Sequence, residues 1–425
     1  MSSPFTPHPL WQRGKESPLI GWRCTGVPTD AAPDWPPHYT ARMTFWRAPL
    51  LRLAVAFGAA LVSSALAVSV PDPPADPTIL SYPALRPTLL GSSGVLLVSD
   101  SPETPTRSGL LYRDTVQAST VQGSQGLIRV MAYHVNGLGR PARLLLLARN
   151  MHEQPAPLTV LRQGRAVTRQ PDPVIGQQTL LRYFSSGPRP PRTLGGGEQG
   201  VLFDSGLLAS GSVVSLLLDL ESRAALELSV VILGQNERPD GERPDGERPD
   251  TERTGGGLPI LPADAFHQRG TFPGADRTLS VELPADVNTP FRLTLSGPDD
   301  PPLQGYDALT GNPQSLMGNY GVLYTIQVAG AAGRLLAASP RGGACRGTVS
   351  VQDGGPLRDG AGPNGGRSSQ VLIGQGRTLK VPASPAALWQ IRSLEFSMQI
   401  IPANGSSLPL ALLFYPGKVN RSARR

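Results

Sequence analysis

Short apolar segments separated by turn-forming residues are the feature of this 425-residue chain that most constrains its fold. From residue 94 onward they recur about every ten residues, are rich in Val, Ile, Leu and Tyr, and are bounded by Gly, Pro, Asn, Asp or Ser. No helical period of useful length competes with this pattern. The chain is therefore predicted to be all-β, with antiparallel β-sandwich-like domains.

Two stretches, 143–148 and 213–220, are apolar at nearly every position, which predicts central strands buried on both faces. The stretch 394–401 alternates apolar and polar residues, which predicts a strand with one buried face. The strands predicted in the first half are 94–98, 109–112, 127–135, 142–148, 158–161, 179–184, 200–203, 212–218 and 225–233. Those predicted in the second half are 278–283, 291–295, 322–328, 348–351, 370–373, 378–381, 394–401 and 408–415.

A tandem repeat separates the two sets of strands. Glu237-Arg238-Pro239-Asp240-Gly241 recurs at 242–246 and, ending in Thr251, at 247–251. The repeat has no apolar side chain other than proline, so burial cannot offset the entropy lost on ordering it. We predict a disordered linker at 236–257 that joins one β-sandwich domain at 90–235 to a second at 258–417.

An export signal is predicted near the beginning of the chain. Arg47 and Arg52 precede an apolar run at 53–66, which closes on Ala65-Leu66-Ala67. Positive charge, apolar run and small-residue cleavage site together indicate a secretory signal peptide at 43–67, cleaved after Ala67, followed by an extended segment at 68–89. The run is shorter than the ~20 residues that cross a bilayer, so no transmembrane anchor is expected. The protein is predicted to be periplasmic, at the cell surface or secreted.

The two ends of the chain lack an apolar period. Residues 1–42 are rich in proline and are predicted to be a disordered leader. Either the true start is Met43, or this leader is a genuine long n-region. Residues 418–425 form a basic tail that is expected to be solvated.

Charge and cysteine content exclude several classes of function. The chain has 39 Lys and Arg against 32 Asp and Glu, without the clustering of positive charge typical of nucleic-acid binding. Cys24 lies before the predicted cleavage site, which leaves Cys345 unable to form an internal disulfide. Cys345 is expected to be a small loop or strand residue.

Metal-ligating residues are present without the spacing of a known motif. The histidines after residue 67, His134, His152 and His267, form no closely spaced pair. They would form a metal or hydrolytic site only if distant strands brought them together, with Asp100 as a fourth member. Asp299, Asp300 and Asp307 could supply oxygen ligands to calcium, although the order of a calcium loop is missing.

Two catalytic or cofactor motifs are not supported. Residues 195–200 satisfy the spacing G-x-G-x-x-G, but a predicted strand follows them where a dinucleotide site needs a helix. We interpret them as a glycine loop that leads into a strand. No G-x-S-x-G nucleophile motif is present. The sequence therefore predicts neither catalytic residues nor a cofactor.

Several segments resemble a group of exported bacterial proteins of unassigned activity, some of which carry a stalk-like domain labelled after copper amine oxidases. The resembling segments are 97–103 (Leu-Val-Ser-Asp-Ser-Pro-Glu), 109–115, 133–136 (Tyr-His-Val-Asn), 267–272 and 318–324 (Gly-Asn-Tyr-Gly-Val-Leu-Tyr). The oxidase activity is not implied. Amine oxidases of that class carry an Asn-Tyr-Asp/Glu motif and an H-x-H pair of copper ligands. Here Gly321 follows Asn319-Tyr320 in place of the acidic residue, and no H-x-H pair is present.

These observations favour a non-catalytic exported protein of the cell envelope or surface that binds a protein or glycan partner. Neither nucleic acid nor a membrane span is expected. The alternative is an extracytoplasmic hydrolase or metal-dependent enzyme whose site is assembled from distant strands.

Overall fold

A computed structural model describes residues 81–118, 126–239, 258–286, 288–341, 345–354, 369–373 and 386–417. The chain divides into the units Met1–Leu66 and Ala67–Arg425, and every described residue lies in the second. Among these residues no helix has the length and apolar character needed to cross a membrane. The leader, the signal peptide and its cleavage site, most of the linker, the strand predicted at 378–381 and the basic tail lie outside the described residues.

The described residues form twenty strands and one α-helix, so the predicted all-β class is confirmed. The elements of the first half are β1 (Thr88–Ser99), β2 (Gly109–Val116), β3 (Leu127–Val135), β4 (Ala142–Asn150), β5 (Ala156–Thr168), α1 (Val174–Ser185), β6 (Arg192–Leu194), β7 (Gln199–Asp204), β8 (Val213–Glu221) and β9 (Leu226–Gly234). Those of the second half are β10 (Arg269–Glu282), β11 (Phe291–Leu295), β12 (Leu303–Asp307), β13 (Asn312–Leu316), β14 (Leu323–Ala329), β15 (Leu335–Pro340), β16 (Gly347–Asp353), β17 (Ser369–Ile373), β18 (Ala386–Gln390), β19 (Glu395–Ile400) and β20 (Leu410–Tyr415).

One large sheet joins the two halves of the chain. Its order is β17-β16-β19-β14-β10-β1-β3-β8-β5-β6, with the β12–β13 hairpin attached to β10. Two four-stranded sheets, β2-β9-β4-β7 and β11-β20-β15-β18, complete the described sheet structure. The seam is the antiparallel pair of β1 and β10, which runs from Thr88 opposite Ser280 to Ser99 opposite Arg269.

The same order of strand pairings occurs in both halves. In the first half, β1 pairs in parallel with β3, and β3, β8, β5 and β6 follow in antiparallel succession. In the second, β10 pairs in parallel with β14, and β19, β16 and β17 follow in the same way. The four-stranded sheets also correspond strand for strand once the β12–β13 hairpin is set aside. The chain thus contains one nine-strand connectivity twice.

The prediction of two independently folded domains is not confirmed, because strands of both halves belong to one continuous sheet and one compact unit. Successive residues of β1 belong to two different apolar clusters. Val95 and Leu97 lie in the cluster that includes the sheet β2-β9-β4-β7, and Leu96 and Val98 lie in the cluster that includes the sheet β11-β20-β15-β18. The predicted burial of 143–148 and 213–220 on both faces is largely confirmed in β4 and β8. Their apolar side chains remain inside because both faces are covered.

A buried arginine connects the halves within the core. The guanidinium of Arg129 on β3 is 2.7 Å from the carboxylate of Asp219 on β8 and 2.8 Å from that of Asp276 on β10. It also donates to the carbonyl oxygen of Ala275, and the Tyr183 hydroxyl of α1 donates to Asp219 over 2.6 Å. Since Arg129 is completely buried, these partners are what compensate its charge.

The prediction of a strand at 179–184 and of no helix is wrong, because these residues belong to α1. The Asp172 carboxylate accepts a hydrogen bond from the backbone N–H of Val174, where the helix begins. The buried face includes Gly176 and Gln177, so an apolar stripe is not visible in the sequence. A Cβ at Gly176 would lie 2.2 Å from the carbonyl oxygen of Asn404, which shows how closely the helix packs.

The helix lies between opposite ends of the large sheet. Gln177 donates through Nε2 to the carbonyl oxygen of Ile373 on β17, over 2.7 Å, and Thr348 on β16 donates to the Gln177 carbonyl oxygen. On its other side α1 contacts β5 and β8. Because β17 and β5 lie near opposite ends of the strand order, the sheet must curve around the helix.

Candidate functional site

His134 on β3 is fully buried in a small polar cluster. Its Nδ1 is 3.0 Å from the carbonyl oxygen of Pro102, and its Nε2 is 2.9 Å from Ser99 Oγ on β1. A carbonyl oxygen can only accept, so Nδ1 carries the proton and Ser99 donates to Nε2. Burial lowers the pKa of His134 to about 4, which keeps the ring neutral at physiological pH. Ser99 is 1% exposed and His134 is 0% exposed, so this pair has no surface from which to meet a substrate.

His267 lies beside this pair and contacts two carboxylates. Its Nε2 is 2.7 Å from Glu103, and its Nδ1 is 3.0 Å from Asp264. Burial would raise the pKa of Asp264, but hydrogen bonds from the backbone N–H groups of Glu103, Phe266 and His267 lower it below its usual value. Together with Asp100, whose pKa is raised by burial and by the charges of Glu103 and Asp264, these residues form the acid–histidine cluster. Its members are Asp100, Glu103, His134, Asp264 and His267.

The cluster ties the segment before β10 to the loop after β1. The backbone N–H of Glu103 donates to Asp264, the N–H of Asp264 donates to Ser101 Oγ, and the N–H of Asp100 donates to the Gln268 carbonyl oxygen. These contacts explain the position of both histidines without a ligand. Across the described part of the chain, no group of three or more His, Cys, Asp or Glu is arranged to hold a metal ion.

The other predicted metal ligands lie elsewhere. His152 is exposed in the loop after β4, where its N–H donates to Asn150 Oδ1. The structure therefore brings His134, His267 and Asp100 together but leaves His152 out. Asp300 is 2.6 Å from Arg277, and Asp307 is 3.0 Å from Arg269, eight residues away on the same strand.

Two of the three predicted calcium ligands, Asp300 and Asp307, thus have arginine partners of their own. Asp300 also accepts hydrogen bonds from the Tyr324 hydroxyl and the N–H of Ser296. Asp307 is buried, whereas Asp299 is exposed in the loop before Asp300. A carboxylate that already accepts from an arginine and a backbone N–H has little left to offer a cation.

Cys345 and Tyr320 are also accounted for by packing. Burial raises the pKa of the Cys345 thiol to about 11, so it is an unreactive residue, as expected from the sequence. The hydroxyl of Tyr320 donates to the carbonyl oxygen of Ser406 over 2.6 Å. The glycine loop at 195–200 leads into β7, as predicted, and Glu198 caps it by accepting from the N–H of Gly195.

A polar groove of about 460 Å³ lies along the outer edge of β5. We call it the β5 groove and define it by its lining residues, Gln163, Arg165, Val167, Arg182 and Arg189. Three of the five are arginines, and none is acidic. The alternation of β5 places Gly164 and Ala166 toward the protein interior, where Gly164 meets α1, and directs Arg165 and Val167 to the opposite side.

Two of the three arginines of the groove are held by contacts to backbone carbonyl oxygens or a ring. Arg165 donates to the Ser205 carbonyl oxygen over 2.5 Å, and its guanidinium carbon lies 5.8 Å from the centre of the Phe203 ring. Arg182, on the exposed face of α1, donates to the carbonyl oxygen of Arg165. Arg189 is exposed in the segment between α1 and β6. These contacts fix the side chains without neutralising them, so the groove presents concentrated positive charge.

Sequence reasoning missed this groove, although a local signal exists. The segment 162–192 contains six arginines (Arg162, Arg165, Arg169, Arg182, Arg189 and Arg192), with Asp172 as its acidic residue. The chain-wide charge balance concealed this local excess. Once α1 folds back on β5, three of the six line one groove.

No protein-family model matches this chain, and no curated protein matches it. One solved structure that aligns with it is described as the crystal structure of PBSX exported protein XepA. The alignment covers 72% of this chain and 85% of that chain, with 12% identity and a TM-score of 0.16. At that score the likeness transfers neither fold nor function.

Proposed function

We propose that this chain is a non-catalytic exported protein of the cell envelope or surface that binds a negatively charged protein or glycan partner in the β5 groove. The observation that carries the proposal is the convergence of Arg165, Arg182 and Arg189 on one open groove with no acidic lining residue. Arginine is suited to this role because its planar guanidinium binds carboxylate, sulfate or phosphate groups through paired hydrogen bonds.

The acid–histidine cluster does not fit the requirements of a hydrolytic site, which favours the binding function. Ser99 and the cluster's His134 are hydrogen-bonded to each other but buried, and the Asp264 carboxylate accepts from nearby backbone N–H groups. A hydrolytic nucleophile must reach substrate, and a general base must hold a pKa near the working pH. Neither condition is met by this pair.

The experiment compares the affinity of the wild-type protein and the variant R165Q/R182Q/R189Q for two soluble polyanions, oligoglutamate and dextran sulfate. We expect binding that weakens at least tenfold in the variant and decreases with added salt. The matched control R86Q/R107Q/R392Q removes the same charge from exposed arginines outside the groove and should retain most of the affinity. Equal weakening in both variants would show that the affinity depends on the net charge of the protein and not on the β5 groove.

A second measurement tests the enzymatic alternative. Elemental analysis of the purified protein should give no stoichiometric zinc, copper or calcium. A metal present at one per chain and lost on changing His134 or His267 to Ala would contradict the proposal.

A further inference from the structure

We infer that the occupant of the β5 groove is an extended acidic peptide segment that adds to the open edge of β5 as a further strand. This inference rests on the binding function proposed above and specifies the class of partner. It draws on two separate features of the groove, the edge of β5 that pairs with no further described strand and the placement of the arginines.

The first feature is the direction of the backbone groups in β5. The N–H of Gln163 donates to Ser186 Oγ over 2.9 Å, and the carbonyl oxygen of Arg165 accepts from the Arg182 side chain. Both groups therefore point away from β8, the strand that pairs with β5 on its other side. Backbone groups of alternate residues point the same way, so the N–H of Arg165 and the N–H and C=O of Val167 face this edge too.

The edge is open at these residues. β6 pairs with β5 only at Ala156, Pro157 and Leu158, and the segment after α1 then approaches β5 at Val160, whose carbonyl oxygen accepts from the N–H of Arg189. Among the described strands, none pairs with the outer edge of β5 beyond residue 163. An uncovered edge of this kind is a template for an added strand.

The second feature is the position of the charges on both sides of that edge. Arg165 lies on the side of β7, and Arg182 lies on the side of α1. The acidic neighbour of Arg165, Asp204, is already paired with Arg143. An added strand directs its side chains alternately to the two sides, so acidic residues of one segment can reach both arginines.

Binding changes one contact that the free protein makes. The exposed Arg182 side chain occupies the carbonyl oxygen of Arg165, the acceptor that a peptide N–H needs. An acidic side chain on the incoming strand draws this guanidinium away and releases the acceptor. A charged glycan can bind the arginines but lacks the alternating N–H and C=O groups that match the edge. The combination therefore favours an acidic peptide.

The test uses an eight-residue peptide of repeating Glu-Glu-Thr-Thr, which places Glu on both sides of an extended strand, labelled for fluorescence anisotropy, against the purified protein. We expect binding that weakens about tenfold or more in R182Q/R189Q, and similarly when alternate peptide nitrogens on the edge-facing side are methylated. The variant V167P removes an edge-facing N–H while retaining all three arginines, and it should weaken peptide binding more than it weakens dextran sulfate binding. V167A shortens the same side chain but retains the N–H, so as the matched control it should weaken peptide binding less than V167P does.

The outcomes separate this inference from the function on which it rests. Peptide binding that is unaffected by N-methylation and by V167P, in a folded protein, would overturn strand addition while leaving an anion-binding groove. Dextran sulfate binding with no peptide binding would also overturn it and would indicate a glycan partner. Absence of binding to either polyanion would overturn both proposals.

Discussion

Ser99 on β1 and His134 on β3 lie 2.9 Å apart in the core, and the hydrogen bond that joins them requires a neutral imidazole. The ring cannot gain a proton without losing this acceptor. The cost of burying a charged ring is the main reason that the pKa of His134 falls to about 4.

We predict that His134 makes the protein less stable as the pH falls from about 6.5 to 4. The unfolded ring binds a proton near pH 6.5, whereas the folded ring resists it down to about pH 4, so acidification favours the unfolded chain. At about 1.4 kcal/mol per pKa unit, the loss amounts to roughly 3 kcal/mol. Urea unfolding across this pH range measures it.

The variant H134Q isolates this effect, because the nearby carboxyl groups of Asp100 and Asp264 have shifted pKa values of their own. Its unfolding free energy should change less with pH than that of the wild type over the same range. Parallel curves for the two proteins would contradict the assignment to His134.

We predict that R129M lowers the free energy of unfolding by about 3–5 kcal/mol, because it removes the arginine that compensates the buried Asp219 carboxylate and the partly buried Asp276 carboxylate. The control R113M removes an exposed arginine that lies 3.8 Å from Glu227, and it should cost less than about 1 kcal/mol. Chemical denaturation at pH 7 compares the two. Similar losses in both variants would show that the buried ion pairs of Arg129 stabilise the protein no more than the exposed pair of Arg113 does.

We predict that G164A destabilises the protein by about 1–3 kcal/mol. A Cβ at this position of β5 would lie 2.0 Å from the carbonyl oxygen of Thr179, so the strand and α1 must separate. G187A is the control, since a Cβ there meets no atom within 4 Å. The shift in urea midpoint should be large for the first variant and close to zero for the second.

We predict that a protease cleaves first between Gln235 and Gly257, and that the two fragments stay together under native conditions. The pairing of β1 with β10 joins them along more than ten residues of each strand. Size-exclusion chromatography should therefore show one species that separates only in denaturant. Two fragments that elute separately, each still folded, would support independent domains.

We predict that protein recovered from the native host begins at Val68, because the signal at 43–67 ends in Ala65-Leu66-Ala67. Intact-mass measurement gives the result directly. A species that retains residues 1–42 would show that the leader belongs to the working protein.

The sequence was sufficient to predict most strands because burial leaves a local mark. Strand β3 was predicted at 127–135 and β11 at 291–295, with the bounds that the structure gives. β12 and β13 were missed because each is short and carries polar or small residues, among them Gly305 and Pro313. α1 was missed because a glycine and a glutamine replace apolar residues on its buried face.

The candidate site was not predictable in the same way, because it depends on contacts between distant parts of the chain. Arg165 and Arg182 become neighbours only when α1 folds back along β5. The predicted calcium ligands fail for the same reason. Asp300 and Asp307 each pair with an arginine of β10, and no sequence spacing rule connects those arginines to them. Sequence patterns report burial well, but they do not report which charges meet.

The recurrence of one nine-strand connectivity has a consequence for how the protein assembles. Either half taken alone would leave its first strand, β1 or β10, with an unsatisfied hydrogen-bonding edge that invites association with a second molecule. In this chain the complementary edge is covalently attached, so the pairing happens within one molecule and does not depend on protein concentration. On dilution, this chain would keep the seam intact where a dimer of separate halves would dissociate.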